Sequence, residues 1–346
     1  MTLLDGSATA EAGATGKRVT GSRIGKTMTD KTPQETPPTG NAKDYCVFIQ
    51  ANHKQYIGAL IAEYAIRRNS KHNDKFDIRI MHYDDFPVFK AHEGRKFLRD
   101  GEWREWVRND LQSFTPTRFA PPQLMGFKGR AIVIDPDVFV IADIWDLFSR
   151  DMKGAAVMCR PKSGNKGKRG ALATSVMLLD NAKLTHWKFD EQFAAMFDGS
   201  RDYMPWISLK YEDPETVALF ENEWNDFDHL DENTKAIHNT QRKTQPWKTG
   251  LPVDYRAADS FRLFPPRHWF RRLRRALFGD YGLAGHYKRH PDPRQEAFFF
   301  GLVREAVEKG VITEEMLREE MRQNHVRHDA LELIKTVPPV AYPVPA

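Results

Sequence analysis

From Tyr45 to about residue 240, short unbroken apolar runs alternate with longer stretches whose apolar residues recur at helical spacing. Cys46 to Ile49, Ala131 to Ile134, Val138 to Ile141, Gly154 to Cys159 and Ser175 to Leu179 are runs of the first kind. They are rich in Val, Ile and Leu and read as strands buried on both faces. Phe76, Ile78, Ile80 and His82 alternate with polar residues, which predicts a further strand, and Lys235 to His238 predicts a short one ending in histidine. Tyr56, Ile57, Leu60, Ile61, Tyr64 and Ala65 lie on one side of a helix, with Asn52 and Gln55 placed as cap and capping-box partner. Phe97, Leu98, Trp103, Trp106, Val107 and Leu111 predict a helical face between Lys90 and Leu111, and Phe193, Met196 and Phe197 predict another. Asp213 is a natural N-cap, with Pro214 at the first turn of a helix carrying Val217, Phe220 and Trp224. Strands alternating with helices predict an α/β fold around a largely parallel sheet.

Composition divides the chain further. Residues 1–40 are rich in Thr, Gly, Ala, Lys and Pro and cannot bury enough surface to order themselves, so they are expected to form a disordered tail. Residues 41–255 carry the alternating pattern, and residues 256–346 form a helical, basic C-terminal region in which Gly310 and Thr313 separate two helices. The segment Trp269 to Phe278 sets Trp269, Leu273, Ala276 and Leu277 against a spread of arginines. That pattern suits an anionic membrane surface, and equally a surface helix packed on its own domain. The balance of 40% hydrophobic and 29% charged residues is that of an ordinary globular protein, and a net charge of +5 permits polyanion binding without requiring it. No membrane span and no signal core is visible, and Cys46 and Cys159 sit in apolar runs. A cytoplasmic location, with reduced thiols, is the expectation.

The chemistry concentrates where the strand Ala131–Ile134 surfaces. Asp135-Pro136-Asp137 sets two carboxylates one residue apart, and Pro136 turns the chain out of the sheet. Either the pair is solvated at a turn, or it offers hard oxygen ligands to Mg²⁺ or Mn²⁺ carrying a diphosphate. Gln50, Ala51 and Asn52 stand at the carboxyl end of the first strand, where α/β proteins bind ligands. His238, at the end of its own strand, is a candidate third ligand, although a lone histidine is more often structural. Asp84-Asp85 reads as a solvated turn. The loop holding Arg160, Lys162, Lys166, Lys168 and Arg169 either folds over a diphosphate or is merely solvated.

Taken in order, IVIDPDVFV, TRFAPPQL, SVMLLD and IHNTQRKTQPW resemble the motifs of glycosyltransferase family 8, metal-dependent enzymes of the GT-A fold, over about residues 45–250. The resemblance implies a Rossmann-like, mixed sheet. It also implies Mn²⁺ (or Mg²⁺) held by Asp135, Asp137 and His238. A nucleotide-sugar donor, most often a UDP-sugar, would meet Gln50, Ala51, Tyr56, Arg118, Asp135, Pro136, Asp137 and Lys243. It places Ser175 on the acceptor side and Asp213 near the reacting carbon, with retention of anomeric configuration. The sequence departs from the family pattern in Ala173-Thr174-Ser175 where Asn-Ser-Gly is usual, and in Asp213-Pro214 for an Asp-Gln pair. It departs again at Gln241, where a glycine is expected, and at Gln245, where a lysine normally precedes Pro-Trp.

The expected activity is therefore transfer of a sugar from a nucleotide-sugar to a glycan or glycolipid acceptor, with peripheral contact to the inner membrane face through Trp269–Phe278 and no nucleic acid bound. Two alternatives stand beside it. A sugar-nucleotide nucleotidyltransferase would show a glycine-rich phosphate loop after the first strand, where this chain has QANHKQY. A non-catalytic membrane or nucleic-acid binding module would use the arginine-rich segment and have no need of convergent metal ligands.

Overall fold

The computed structural model describes residues 43–162, 171–255 and 285–342. The tail 1–40, most of the basic loop after Lys162 and the whole of Trp269–Phe278 lie outside the described residues. The central sheet has six strands in the order β2-β1-β5-β8-β7-β9. These are β1 (Tyr45–Ala51), β2 (Asp77–His82), β5 (Arg130–Ile134), β7 (Val157–Pro161), β8 (Leu172–Asp180) and β9 (Val217–Leu219). A second sheet joins β6 (Val138–Val140), β10 (Asp226–Phe227) and β11 (Ala236–His238), and a separate hairpin pairs β3 (Lys96–Arg99) with β4 (Glu102–Glu105). β1 runs parallel to both β2 and β5, β9 runs parallel to β7, and β8 alone is antiparallel to its neighbours β5 and β7. The sheet is thus mixed and largely parallel, as the apolar runs predict.

Burial explains the runs. Every residue from Ala131 to Ile134 and from Val138 to Val140 is buried, and each Val, Ile and Phe side chain among them contributes about 1.5–3 kcal/mol. The helix Tyr56–Asn69 covers one face of the sheet and crosses the Asp-Pro-Asp turn at Gly58, where a Cβ would stand 2.6 Å from the Pro136 carbonyl oxygen. Asn52 caps the preceding turn through its side chain, but Gln55 does not complete a capping box; its amide reaches Gln245 instead.

Two expectations about local structure are corrected. The stretch Lys90–Leu111 is not a helix. Asp100 and Gly101 both take positive φ (55° and 74°), the two-residue turn whose twist joins antiparallel strands, and Asp202 fixes it by accepting from both backbone amides. After Asp213 the helix is a single 3₁₀ turn, Pro214–Thr216, and Val217–Leu219 continues as β9. The β-branched residue and the otherwise unpaired edge of β7 favour a strand there. The helices Pro293–Glu308, Glu314–Arg322 and Ala330–Thr336 pack into the same cluster as the strands. Phe299 lies 5.3 Å from Phe139 of β6 and 4.8 Å from Trp247 (ring centroids), while Glu305 accepts from Tyr64 and Arg68 of the first helix. The C-terminal helices therefore buttress the strand that leaves the acidic turn.

Candidate active site

The chain order β1, β2, β5 with spatial order β2-β1-β5 makes β1/β5 the place where the winding reverses, the crevice α/β sheets use for ligands. Parallel pairing sets Ile49 against Ile134, so the next residues, Gln50 and Asp135, emerge side by side. On the other flank the Asp135 amide donates to the Ser175 carbonyl (3.0 Å), which carries Ser175 to the same rim. Beyond Pro136 the chain enters β6, and antiparallel pairing puts His238 opposite Val138. The Asn239 amide then donates to the Asp137 carbonyl (3.1 Å). Two different sheets thus deliver Asp135, Asp137 and His238 to one point, with ligand atoms all within 4.8 Å of one another. Ligands about 2.1 Å from a shared octahedral ion stand roughly 3–4 Å apart, so the set closes on one cation with small side-chain shifts.

The surrounding bonds define the donor set. Asn225 donates its amide to Ser175 Oγ (3.0 Å), which turns its oxygen to His238 Nδ1 (2.8 Å). Nδ1 must then carry hydrogen, and Nε2, 3.2 Å from Asp137 Oδ1, is left as the atom able to ligate. Asn225 is itself fully buried, and its carbonyl accepts from Arg160 Nη1 (2.6 Å). Behind the imidazole, Asn239 donates to Gln295 of the C-terminal helix (2.6 Å). Gln245 donates to Asp137 Oδ2 (3.0 Å) and Gln50 to Asp135 Oδ1 (2.7 Å). Arg118 forks onto both Asp135 oxygens, with Nε 3.1 Å from Oδ1 and Nη2 on Oδ2. Burial pushes the Asp135 carboxyl up from its ordinary range, against the pull of the Arg118 charge. Two carboxylates, an imidazole oriented by a second residue and a buried setting fit a divalent ion of the Mn²⁺ or Mg²⁺ kind.

A cleft of about 320 Å³ opens over this cluster. Arg118, Lys162 and Arg242 bring positive charge to it, while Tyr203, Met204, Ile207 and Phe227 form an apolar wall on the Ser175 side. Burial, and then repulsion from Arg118, lowers the Lys162 pKa. Arg242 is held by Gln112 (2.5 Å) and lies over Tyr255 (5.4 Å).

Not every expected residue comes to the cleft. Asp135, Asp137, His238, Arg118 and Ser175 line it, and Gln50 touches it through Asp135. Pro136 holds the turn between the two aspartates, and Ala51 is buried at the end of β1. Tyr56 is on the outer side of the first helical turn with its ring edge-on to His82 (5.9 Å). Lys243 does not line the cleft; its carbonyl accepts from Lys288, and its neighbour Arg242 provides the cation instead. Asp213 does not line it either, since its carboxylate caps the Pro214 turn by accepting from Glu215 (3.0 Å). Asn225, Gln295 and Arg242 were missed by sequence reasoning. Asn225 follows Glu221-Asn222-Glu223-Trp224, and nothing in that stretch marks it as a buried contact.

No protein-family model matches the chain, and no curated protein matches its sequence. Among solved structures it is similar to the WbbM bifunctional glycosyltransferase in its apo form (TM-score 0.42, 14% identity), covering 62% of this chain and 48% of that one. It is also similar to the glycosyltransferase GlyE of Streptococcus pneumoniae TIGR4 (TM-score 0.43, 13% identity; 79% of this chain, 65% of that one). A third is the galactosyltransferase LgtC in complex with donor and acceptor sugar analogues (TM-score 0.42, 11% identity; 60% and 90%). This chain thus spans less than two thirds of the first two and most of the third, and what it shares with each is similarity of fold.

Proposed function

We propose that the protein is a metal-dependent glycosyltransferase that uses a nucleotide-sugar, in the first instance a UDP-sugar. The observation that carries this reading is the convergence of Asp135, Asp137 and His238 from two sheets under a cationic cleft. Those three residues would hold Mn²⁺ or Mg²⁺, which when bound supplies positive charge for the diphosphate of the donor. Asn225 keeps His238 Nε2 directed at the ion, and Gln50 and Gln245 orient the two carboxylates. Arg118, Lys162 and Arg242 stabilise negative charge as the anomeric C–O bond to phosphate breaks. The acceptor hydroxyl approaches from the Ser175 side, where Tyr203 and Ile207 offer apolar contact. Its oxygen bonds to the anomeric carbon, and its proton passes to the departing phosphate oxygen. Among the described residues lining the cleft the only carboxylates are Asp135 and Asp137, both of which would be taken up in holding the ion, which favours retention over a route that needs a separate carboxylate base. With Asp213 capping its own turn, we assign it no part in proton transfer.

The acceptor we propose is a glycan or glycolipid at an anionic membrane surface on the cytoplasmic side, on the strength of the sequence Trp269–Phe278. No helix among the described residues is long and apolar enough to cross a membrane. The test is a thermal-shift screen of UDP-, GDP- and ADP-sugars with and without Mn²⁺, followed by donor hydrolysis with the best pair. Stabilisation by one nucleotide class that requires the metal is the expected result. Equal stabilisation of wild type and Asp137→Ala would exclude the proposal.

A further inference from the structure

One of the two carboxylates of the acidic turn is already paired with a cation of the protein itself. Arg118 and Asp135 face each other almost wholly out of solvent, with side chains 12% and 11% exposed. The guanidinium donates to both carboxylate oxygens, a forked arrangement that leaves Asp135 little room for another cation. Its remaining nitrogen is aimed as well: Nη1 donates to Thr174 Oγ1 (2.9 Å), and that hydroxyl donates onward to the Ile207 carbonyl (2.7 Å). The Gln50 amide adds a third donor on Asp135, and the Gln245 amide covers Asp137 Oδ2. Among the described residues, Asp137 Oδ1, facing His238, is the one of the four carboxylate oxygens with neither an amide nor a guanidinium on it.

We infer that Arg118 is a built-in counter-cation for Asp135, and that its release from Asp135 onto an incoming diphosphate couples metal entry to nucleotide binding. The inference rests on the metal-dependent reading given above. A divalent ion that ligates Asp135 displaces at least one arm of the fork and meets the guanidinium charge at short range. The described residues of the cleft provide no third carboxylate to receive Arg118. A diphosphate does, because its oxygens match the same planar fork. Metal alone must therefore bind against Arg118, whereas metal with diphosphate binds together with it, and by linkage each tightens the other to the same degree.

The experiment is Mn²⁺ binding to the full chain, followed by the electron paramagnetic resonance signal of free Mn²⁺. It is run alone and with UDP, with GDP and ADP in parallel so that a different base preference is not misread. Wild type is expected to bind Mn²⁺ weakly alone and roughly tenfold more tightly with its nucleotide. Arg118→Gln is expected to bind Mn²⁺ alone more tightly than wild type, with the nucleotide effect reduced to less than about threefold. Arg118→Lys keeps the charge but not the fork and is expected to fall between, which preserves the test if the glutamine variant does not fold. Arg118 variants that bind Mn²⁺ alone no better than wild type, with wild-type binding intact, would overturn the counter-cation role only. Failure of wild type to bind Mn²⁺ with any of the nucleotides would overturn the metal site and this inference together.

Discussion

Among the described residues two places gather two aspartates and a histidine within 4.8 Å: Asp135, Asp137 and His238, and Asp226, His229 and Asp231. By residue type they are the same site; by construction they differ. The second lies within six residues of one chain segment and largely satisfies itself. Asp231 Oδ1 accepts from the backbone amides of Asn233 (2.8 Å) and Thr234 (3.1 Å), and Asp226 accepts from the Thr234 hydroxyl (2.9 Å) and from His229 (3.0 Å). Those bonds are part of the turn and use the same carboxylates that an ion would need. At the first cluster the carboxylates and the imidazole come from segments about a hundred residues apart, and the groups that cover the carboxylates, Arg118, Gln50 and Gln245, are side chains rather than the backbone of one turn. The imidazole there has its own fixed partner in buried Asn225, while His229 is largely exposed. A metal site needs ligands held by the fold and neutralised by groups that can leave, and the first cluster alone meets both conditions.

The contrast can be broken by substitution. Asp137→Ala is expected to lower nucleotide-dependent Mn²⁺ affinity and sugar transfer on the order of a thousandfold, whereas Asp231→Ala leaves both within about twofold; calorimetric titration and transfer assays on the pair decide it. Asn225→Ala leaves all three ligands in place but removes the partner of His238 Nδ1, and metal affinity should fall about 10- to 100-fold. Gly58→Ala tests the turn from outside: in an exposed helix it would stabilise by up to about 1 kcal/mol. Here the new Cβ meets the Pro136 oxygen at 2.6 Å, so a loss of about 1–3 kcal/mol is expected from denaturant titration, with weaker Mn²⁺ binding. The smallest effect belongs to the second cluster. The hydrogen bond from Asp226 raises the His229 pKa, so this pair contributes stability below the unfolded histidine value and loses it as pH rises through the folded one. Since His229 is mostly exposed the slope is slight, and Tm between pH 6 and 8 should fall marginally more in wild type than in His229→Gln.

What was legible in the sequence follows the same division. Strands β1, β5, β6, β8 and β11 are runs buried on both faces, too short for helices, most of them rich in β-branched residues, so the residues at their ends could be placed together. The hairpin of β3 and β4 was hidden because Phe97, Trp103 and Trp106 happen to fall at helical spacing, while Asp100-Gly101 carried the turn signal. β9 was hidden because its strand state depends on the free edge of β7, a partner 60 residues away that no local window contains. Asn225 and Gln295 act only through space, on His238 and Asn239, and neither has a spacing that announces it. Lys243 and Arg242 differ by one residue in a 3₁₀ turn, and only the turn decides which of them faces the cleft.

The most direct test is anomalous scattering at the manganese edge from crystals grown with Mn²⁺ and UDP. One ion is expected within about 2.2 Å of oxygens of Asp135 and Asp137 and of His238 Nε2, with nothing at Asp226, His229 and Asp231. An ion at the exposed cluster instead, or none at either, would contradict the assignment.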